Sequence, residues 1–225
     1  MIRAITLDLD DTLWAVAPAI QRAEQAVDDY LARHCPQTRA RFPVAAMRAL
    51  RERIAAEHPQ LAHDFTTQRL LCLRHALEES GEDLAHAEGA FEAFFDARNT
   101  VDLYADVAEG LPQLAGRYPL AALTNGNADL ARIGLAAHFR FTLGAREHGA
   151  AKPDPSIFHA ACERLGIEPS AVLHVGDDPQ LDVEGARRAG LRACWINRVG
   201  ARWPDDLAPP DLVARDLPEL ISQLN

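Results

Sequence analysis

Hydrophobic positions change their spacing twice along the 225-residue chain. Residues 2–8, with Ile2, Ala4, Ile5 and Leu7, read as a buried strand. From about Val16 to Arg98 the period becomes helical. Residues 18–34 carry Ile20, Ala23, Val27 and Leu31 along one face, with Pro18 near the first turn. Residues 44–58 form a second such segment, stopped by Pro59, and residues 65–81 a third, with Gly81 as its C-cap. A fourth, residues 83–98, supplies Ala87, Phe91, Phe94 and Phe95. Four amphipathic helices with no strand between them predict a small helical bundle.

From Val107 onward the pattern alternates. Helical residues 107–118 precede an apolar run at 120–126, and a short helix after Asn127 precedes a strand at 139–144. Helix 155–166 then precedes strand 171–178, and helix 181–190 precedes strand 192–197. A Pro-rich surface loop near residue 204 leads to a last short strand and helix. Such alternation predicts an α/β fold with a parallel sheet covered on both faces. The first strand belongs to that sheet, so the bundle is an insertion. The expected division is 1–14 with 100–225 as the core, and 15–99 as a helical cap. Linkers near 13–17 and 99–106 would lie side by side and form a hinge.

Composition narrows the function. Hydrophobic residues make up 48% and formal net charge is −10, from 33 acids against 23 Lys plus Arg. No run of basic residues builds a nucleic-acid patch. No apolar stretch approaches the ~20 residues of a membrane span, and the N-terminal residues, leading straight into an acidic strand, are not expected to be a signal peptide. The scattered cysteines Cys35, Cys72, Cys162 and Cys194, with no CxxC, are expected to be reduced and packed, in a cytoplasmic protein.

The chemistry sits at the strand ends, where open α/β sheets bind ligands. The first strand ends in Asp8, Asp10, Asp11 and Thr12. Carboxylates that close raise each other's pKa and ask for a cation, a proton or both. Later strand ends and βα loops carry Thr124, Asn125 and Gly126, then Lys152 in a Lys-Pro pair, then Asp177, Asp178 and Asp182. Each motif alone has a plain structural reading: a capped turn, an Asn-Gly turn, a solvated lysine, a helix cap. Four in order, each at a strand end, point to a site.

In that order they resemble the haloacid dehalogenase-like hydrolase superfamily, composed mostly of Mg²⁺-dependent phosphatases. Asp8-Leu9-Asp10-Asp11-Thr12 matches its DxDx[TV] motif, Thr124 its strand-end Ser/Thr, Lys152 its lysine, and Asp177 with Asp182 its acidic pair. The resemblance implies a Rossmann-like core of strand order 3-2-1-4-5 and makes the helical insertion a small cap. The stretches LDLDDTLW, LTNGNA and LHVGDDPQLDVEGARRAGLRACWI also resemble a bacterial branch. That branch includes phosphatases of flavin mononucleotide and of the phosphorylated ribitylamino-pyrimidine of riboflavin synthesis.

The resemblance assigns roles. Asp8 would be the nucleophile, forming an aspartyl-phosphate. Asp10 would be the general acid and then base. Mg²⁺ would take Asp8, the Asp10 carbonyl and Asp177. The Thr124 hydroxyl, the Asn125 backbone N–H and Lys152 would bind the phosphoryl group, with Asp182 behind Lys152. Asp178 has no fixed role. In the cap, Arg69 is a candidate for the distal part of the substrate, beside the plainer reading of an Asp64-capped helix with an exposed arginine; Arg98 is a weaker one. His174 is expected to be a buried, hydrogen-bonded histidine, and Trp14 and Trp195 to be packing residues. The partner is a small phosphorylated metabolite, acted on by a monomer or homodimer. Competing readings are a sugar-phosphate phosphatase or mutase, a 2-haloacid dehalogenase, which has no use for Asp10 or Mg²⁺, and a phospho-receiver-like signalling domain.

Overall fold

The computed structural model describes residues 1–224. The chain divides into two compact units, Met1–Ala15 with Asp102–Asn225, and Val16–Val101.

In the first unit, β1 (Ala4–Leu7) is buried at every position. Its uninterrupted apolar run is what a central parallel strand requires, because helices cover both faces. It pairs with β2 (Leu120–Thr124) on one side, Leu7 opposite Ala122, and with β4 (Val172–Gly176) on the other, Leu7 opposite Val175. With β3 (Thr142–Gly144), β5 (Arg192–Ile196) and β6 (Leu212–Ala214) the sheet is parallel throughout, in the order β3-β2-β1-β4-β5-β6. This is the Rossmann-like order expected from the sequence, with one more strand at the edge. The order reverses at β1, which places the carboxyl ends of β1, β2 and β4 side by side.

The intervening helices are α6 (Val107–Arg117), α7 (Leu130–Ile133), α8 (Ala145–His148), α9 (Pro155–Leu165), α10 (Gly185–Arg188) and α11 (Leu217–Gln223). One face of the sheet buries Leu123, Leu143, Ile157, Phe158, Val172 and Trp195 in a single cluster. Residues 181–190 do not form the one regular helix that their spacing predicts. Pro179–Glu184 is a π-helical turn and α10 follows it. π turns are rare and concentrate at functional sites.

The second unit contains α1 (Val16–His34), α2 (Pro36–Arg41), α3 (Val44–Glu57), α4 (Phe65–Ser80) and α5 (His86–Arg98). Val27, Leu31, Leu73, Leu77 and Phe94 form its main core, and Leu50, Ile54, Cys72 and Ala76 a smaller one under α3. The six-residue α2 is absent from the sequence reading, since a single turn and a half shows no hydrophobic period. No helix among the described residues is long and apolar enough to cross a membrane.

Candidate active site

The turn after β1 is built to hold its own acids. Asp11 has φ +56°, a left-handed conformation that non-glycine residues rarely adopt, although Asp does so more readily than most. Its N–H donates to the Trp14 carbonyl at 2.7 Å, and the Leu13 N–H donates to the Leu9 carbonyl at 2.8 Å. The chain is thereby wound into a tight loop, and Asp10 and Trp14 pair as an isolated bridge. Trp14, fully buried, donates its indole N–H to Asp10 Oδ1 at 2.9 Å. The Asp10 carboxylate is thus aimed by a tryptophan four residues on. Strain of this type persists where the surroundings over-determine it.

Asp8 lies at the end of β1 and is 7% exposed. Lys152 Nζ donates to Asp8 Oδ1 and to Asp182 Oδ1, both at 2.6 Å. Thr12, fully buried, points its hydroxyl at Asp8 Oδ2 (3.3 Å) and at Asp177 Oδ1 (3.1 Å). Asp8, Asp177 and Asp182 place ligand-type oxygens within 4.8 Å of one another. Burial raises the Asp8 pKa well above the usual range; Lys152 opposes this, while Asp182 and Asp177 add to it. Burial, reinforced by the carboxylates of Asp182 and Asp11, pushes Asp177 up to about 7. Burial would raise Asp182 too, but Lys152 and His174 outweigh it and hold that group well below the carboxylate range. Lys152 is buried, yet Asp182 and Asp8 hold its pKa above the usual value.

Lys152 owes its position to Asn125. The Asn125 side chain donates to the Lys152 carbonyl at 2.9 Å and accepts from the Lys152 N–H at 2.8 Å. This reciprocal pair fixes the backbone beside the cis Lys152–Pro153 peptide. Thr124, at the end of β2 and buried, accepts the Gly126 N–H at 2.9 Å, which leaves its hydroxyl proton to donate elsewhere. Asp178 caps the π turn, accepting from the N–H groups of Gln180 and Leu181 at 2.8 Å. Arg69 belongs to the other unit. Its guanidinium lies over the Phe94 ring, 3.5 Å from the centroid, and burial with Arg51 nearby lowers its pKa. Asp64 caps α4 by accepting the Thr67 N–H at 2.9 Å. Arg98, on α5 in that unit, is buried.

Several groups around these residues carry no chemical motif in the sequence. His174 joins Thr6 to Asp182, and Trp195 donates its indole N–H to the Asp177 carbonyl at 2.7 Å. Arg198 donates to the Thr12 carbonyl at 2.8 Å. The one signal available for them was spacing: Asp10 and Trp14 are i, i+4 across a turn, and His174 interrupts an apolar strand.

The donor set can be tested against a divalent cation. Both Asp182 oxygens are taken, Oδ1 by Lys152 and His174 and Oδ2 by the Asp178 N–H at 3.0 Å. Asp8 Oδ2 and Asp177 Oδ1 face one hydroxyl proton between them, and Lys152 is one positive charge among three carboxylates. A hard, oxygen-seeking cation fits that deficit.

Compared with known proteins, residues 2–190 match the haloacid dehalogenase-like hydrolase family. The chain is 37% identical over 199 residues to the 5-amino-6-(5-phospho-D-ribitylamino)uracil phosphatase YigB of Escherichia coli K12, covering 87% of this chain and 83% of that protein. It is 36% identical over 245 residues to a phosphoserine phosphatase of Thermus thermophilus, covering 97% and 98%. Among solved structures, a 2-haloacid dehalogenase from Pseudomonas syringae pv. tomato DC3000 superposes with a TM-score of 0.92 at 40% identity, over 100% of both chains. The kinship with a phosphatase of a phosphorylated ribitylamino-pyrimidine, read from the sequence, is thus found in the alignment. The chain is a hydrolytic enzyme, and it belongs to the haloacid dehalogenase-like hydrolase family.

Proposed function

We propose that the protein is a Mg²⁺-dependent phosphomonoesterase that works through an aspartyl-phosphate on Asp8. The observation that carries this is the pair Asp8 and Asp10: one carboxylate buried against Lys152, the other two residues on and held by Trp14. Asp8 is the nucleophile. Asp10 gives a proton to the leaving alkoxide and later takes one from the attacking water, two steps that one group can perform in sequence. Lys152, bridging Asp8 and Asp182, offsets charge on the phosphoryl oxygens, and the free hydroxyl proton of Thr124 and the Asn125 N–H bind those oxygens. Asp8, the Asp10 carbonyl and Asp177 would hold Mg²⁺. When bound, it would offset the repulsion between the Asp8 carboxylate and an anionic substrate.

A phosphorylated ribitylamino-pyrimidine is the leading substrate class and flavin mononucleotide the next. Support comes from the likeness to the E. coli ribitylaminouracil phosphatase. Free, buried cysteines suit a reducing compartment, and this reading places the enzyme in the cytoplasm. The likeness to a protein named as a 2-haloacid dehalogenase supports a second reading, attack of Asp8 on a halogen-bearing carbon. A departing halide needs no proton, so that chemistry gives Asp10 nothing to do.

The test is a panel of phosphorylated metabolites and 2-haloacids, each assayed with Mg²⁺ and with chelator. Phosphate release that chelation abolishes is expected, greatest with the ribitylamino-pyrimidine phosphate or flavin mononucleotide. Halide release that ignores chelation would replace the first reading by the second. Preference for sugar phosphates would overturn the substrate class alone.

A further inference from the structure

Behind the lysine runs a chain of groups that the proposed reaction does not use. His174 is fully enclosed in β4, and its ring packs edge-on against Phe158 with centroids 5.0 Å apart. Nε2 lies 3.0 Å from Asp182 Oδ1, and Nδ1 lies 2.8 Å from the hydroxyl of Thr6 on β1. Asp182 Oδ1 is a carboxylate oxygen already accepting from Lys152 Nζ. It has no proton to give, so Nε2 must carry one. Burial pushes the His174 pKa down and favours the neutral ring. The neutral Nε2–H tautomer leaves a lone pair on Nδ1, which the Thr6 hydroxyl fills by donating.

The consequence reaches the reacting atoms. Asp182 has two ways of failing: it can rotate off Lys152, or it can hold the ammonium so tightly that Asp8 loses it. Two fixed N–H donors, His174 on Oδ1 and the Asp178 backbone on Oδ2, lock the carboxylate plane. A second donor on Oδ1 also spreads that oxygen's charge, and Lys152 sits at equal distances, 2.6 Å, from Asp182 and Asp8. We propose that His174, held as the Nε2–H tautomer by Thr6, is a positioning residue that aims Asp182 and so balances Lys152 between Asp182 and Asp8. The proposal rests on the phosphatase reading for the role of Lys152, but its geometry stands apart from that reading.

Two measurements test it. In ¹⁵N-labelled protein the His174 ring should show a protonated Nε2 and an unprotonated Nδ1 from pH 6 to 9; Thr6→Val should shift the Nδ1 resonance. A protonated Nδ1 would overturn the proposal whatever the enzyme hydrolyses. In steady-state assays with p-nitrophenyl phosphate and Mg²⁺, His174→Gln keeps an N–H for Asp182 and should stay within about 3-fold of the parent. His174→Leu keeps the volume, loses the donor, and should lower kcat about 10- to 100-fold with KM within about 3-fold. Thermal melts and phosphoenzyme titration would normalise for folded, competent sites. Equal activity of the Gln and Leu variants, per competent site, would overturn the proposal. If the leucine variant does not fold, Thr6→Val against Thr6→Ser makes the same comparison: Ser should restore what Val loses, and no difference between them would count against it. A parent protein that releases no phosphate from any ester would refute the phosphatase reading, and the tautomer measurement would still decide the geometry.

Discussion

Thr12 has a single hydroxyl proton to offer Asp8 Oδ2 and Asp177 Oδ1, so one of those two oxygens goes without it. Burial first, and the crowding of carboxylates second, make the site's behaviour depend on pH and on a cation. Without a cation, folded Asp177 keeps a proton up to about pH 7, whereas in the unfolded chain it would lose it near its ordinary 3.8. Between those values folding takes up a proton, so the contribution of Asp177 to stability declines as pH rises through the window and stays low above it. In chelator, Asp177→Asn should therefore be more stable than the parent at pH 8, by at least about 1 kcal/mol of unfolding free energy, and the gap should narrow toward pH 5. Mg²⁺ should raise the parent's melting temperature more at pH 8 than at pH 5, because the cation no longer competes with a proton. A gap that is independent of pH would show that burial and the neighbouring carboxylates do not raise the Asp177 pKa. Asp8→Asn should lower turnover by on the order of 10³-fold or more, whatever the substrate. Trp14→Phe keeps most of the buried ring but drops the N–H that holds Asp10. It should cost about 10-fold in the rate of aspartyl-phosphate formation with leaving groups that need protonation, and much less with p-nitrophenolate, which leaves unaided. Equal losses with both would place the effect on the step they share, hydrolysis of the aspartyl-phosphate, where Asp10 is the base, and no loss with either would leave Trp14 a packing role alone.

Strands display their chemistry at their ends, and that is why so much of this site was legible in the sequence. Asp8, Thr124 and Asp177 each follow an apolar run, and any parallel sheet brings such positions to one edge. What lies behind them was legible only in part. His174, polar within an apolar strand, reads as a buried, hydrogen-bonded histidine and is one, but its partners Thr6 and Asp182 appear only once the register, Thr6 opposite His174, is known. Asn125 shows the same limit, because the turn predicted a backbone role and its side chain also clamps Lys152. Helical periodicity revealed the long helices but not α2 or the π turn at Pro179–Glu184, since six residues are too few to show a hydrophobic period or how wide a turn is. The end of β4 offers a test at this scale. A Cβ at Gly176 would run into the Asp182 side chain. Gly176→Ala should push Asp182 off Lys152 and cut kcat at least about 10-fold, while the strand, short of one methyl's room, stays paired. Gly116→Ala, where a Cβ meets nothing within 4 Å, is the control and should leave activity unchanged.

Across the first unit, three stretches remote in sequence meet on one side chain. Arg198, in the loop after β5, donates to the Thr12 carbonyl at 2.8 Å and clamps Asp106 through two bonds of 2.9 and 3.1 Å. Its guanidinium also lies over Tyr104, 4.1 Å from the ring centroid. Asp106 in turn accepts the Leu217 N–H at the start of α11, at 3.0 Å. The chain leaving β1 and the chain returning before α6 are tied here as well, by the Tyr104 N–H to the Leu13 carbonyl and by the bridge between Trp14 and Leu103. The ion pair is largely shielded from water, with side chains 10% and 14% exposed. Truncating one partner therefore strands the other rather than merely removing a surface contact. Arg198→Ala should destabilise the protein by about 3 kcal/mol and Asp106→Asn, which keeps a hydrogen-bonding shape, by less. Because the lost bond to Thr12 lies two residues from Asp10, turnover should fall as well. Arg198→Lys supplies charge but cannot serve Thr12 and both Asp106 oxygens at once, so it should recover part of the stability and little of the turnover. If lysine restored both in full, charge alone would be holding the two chain passages, and the fork of hydrogen bonds would have no part in shaping the turn that carries Asp8 and Asp10.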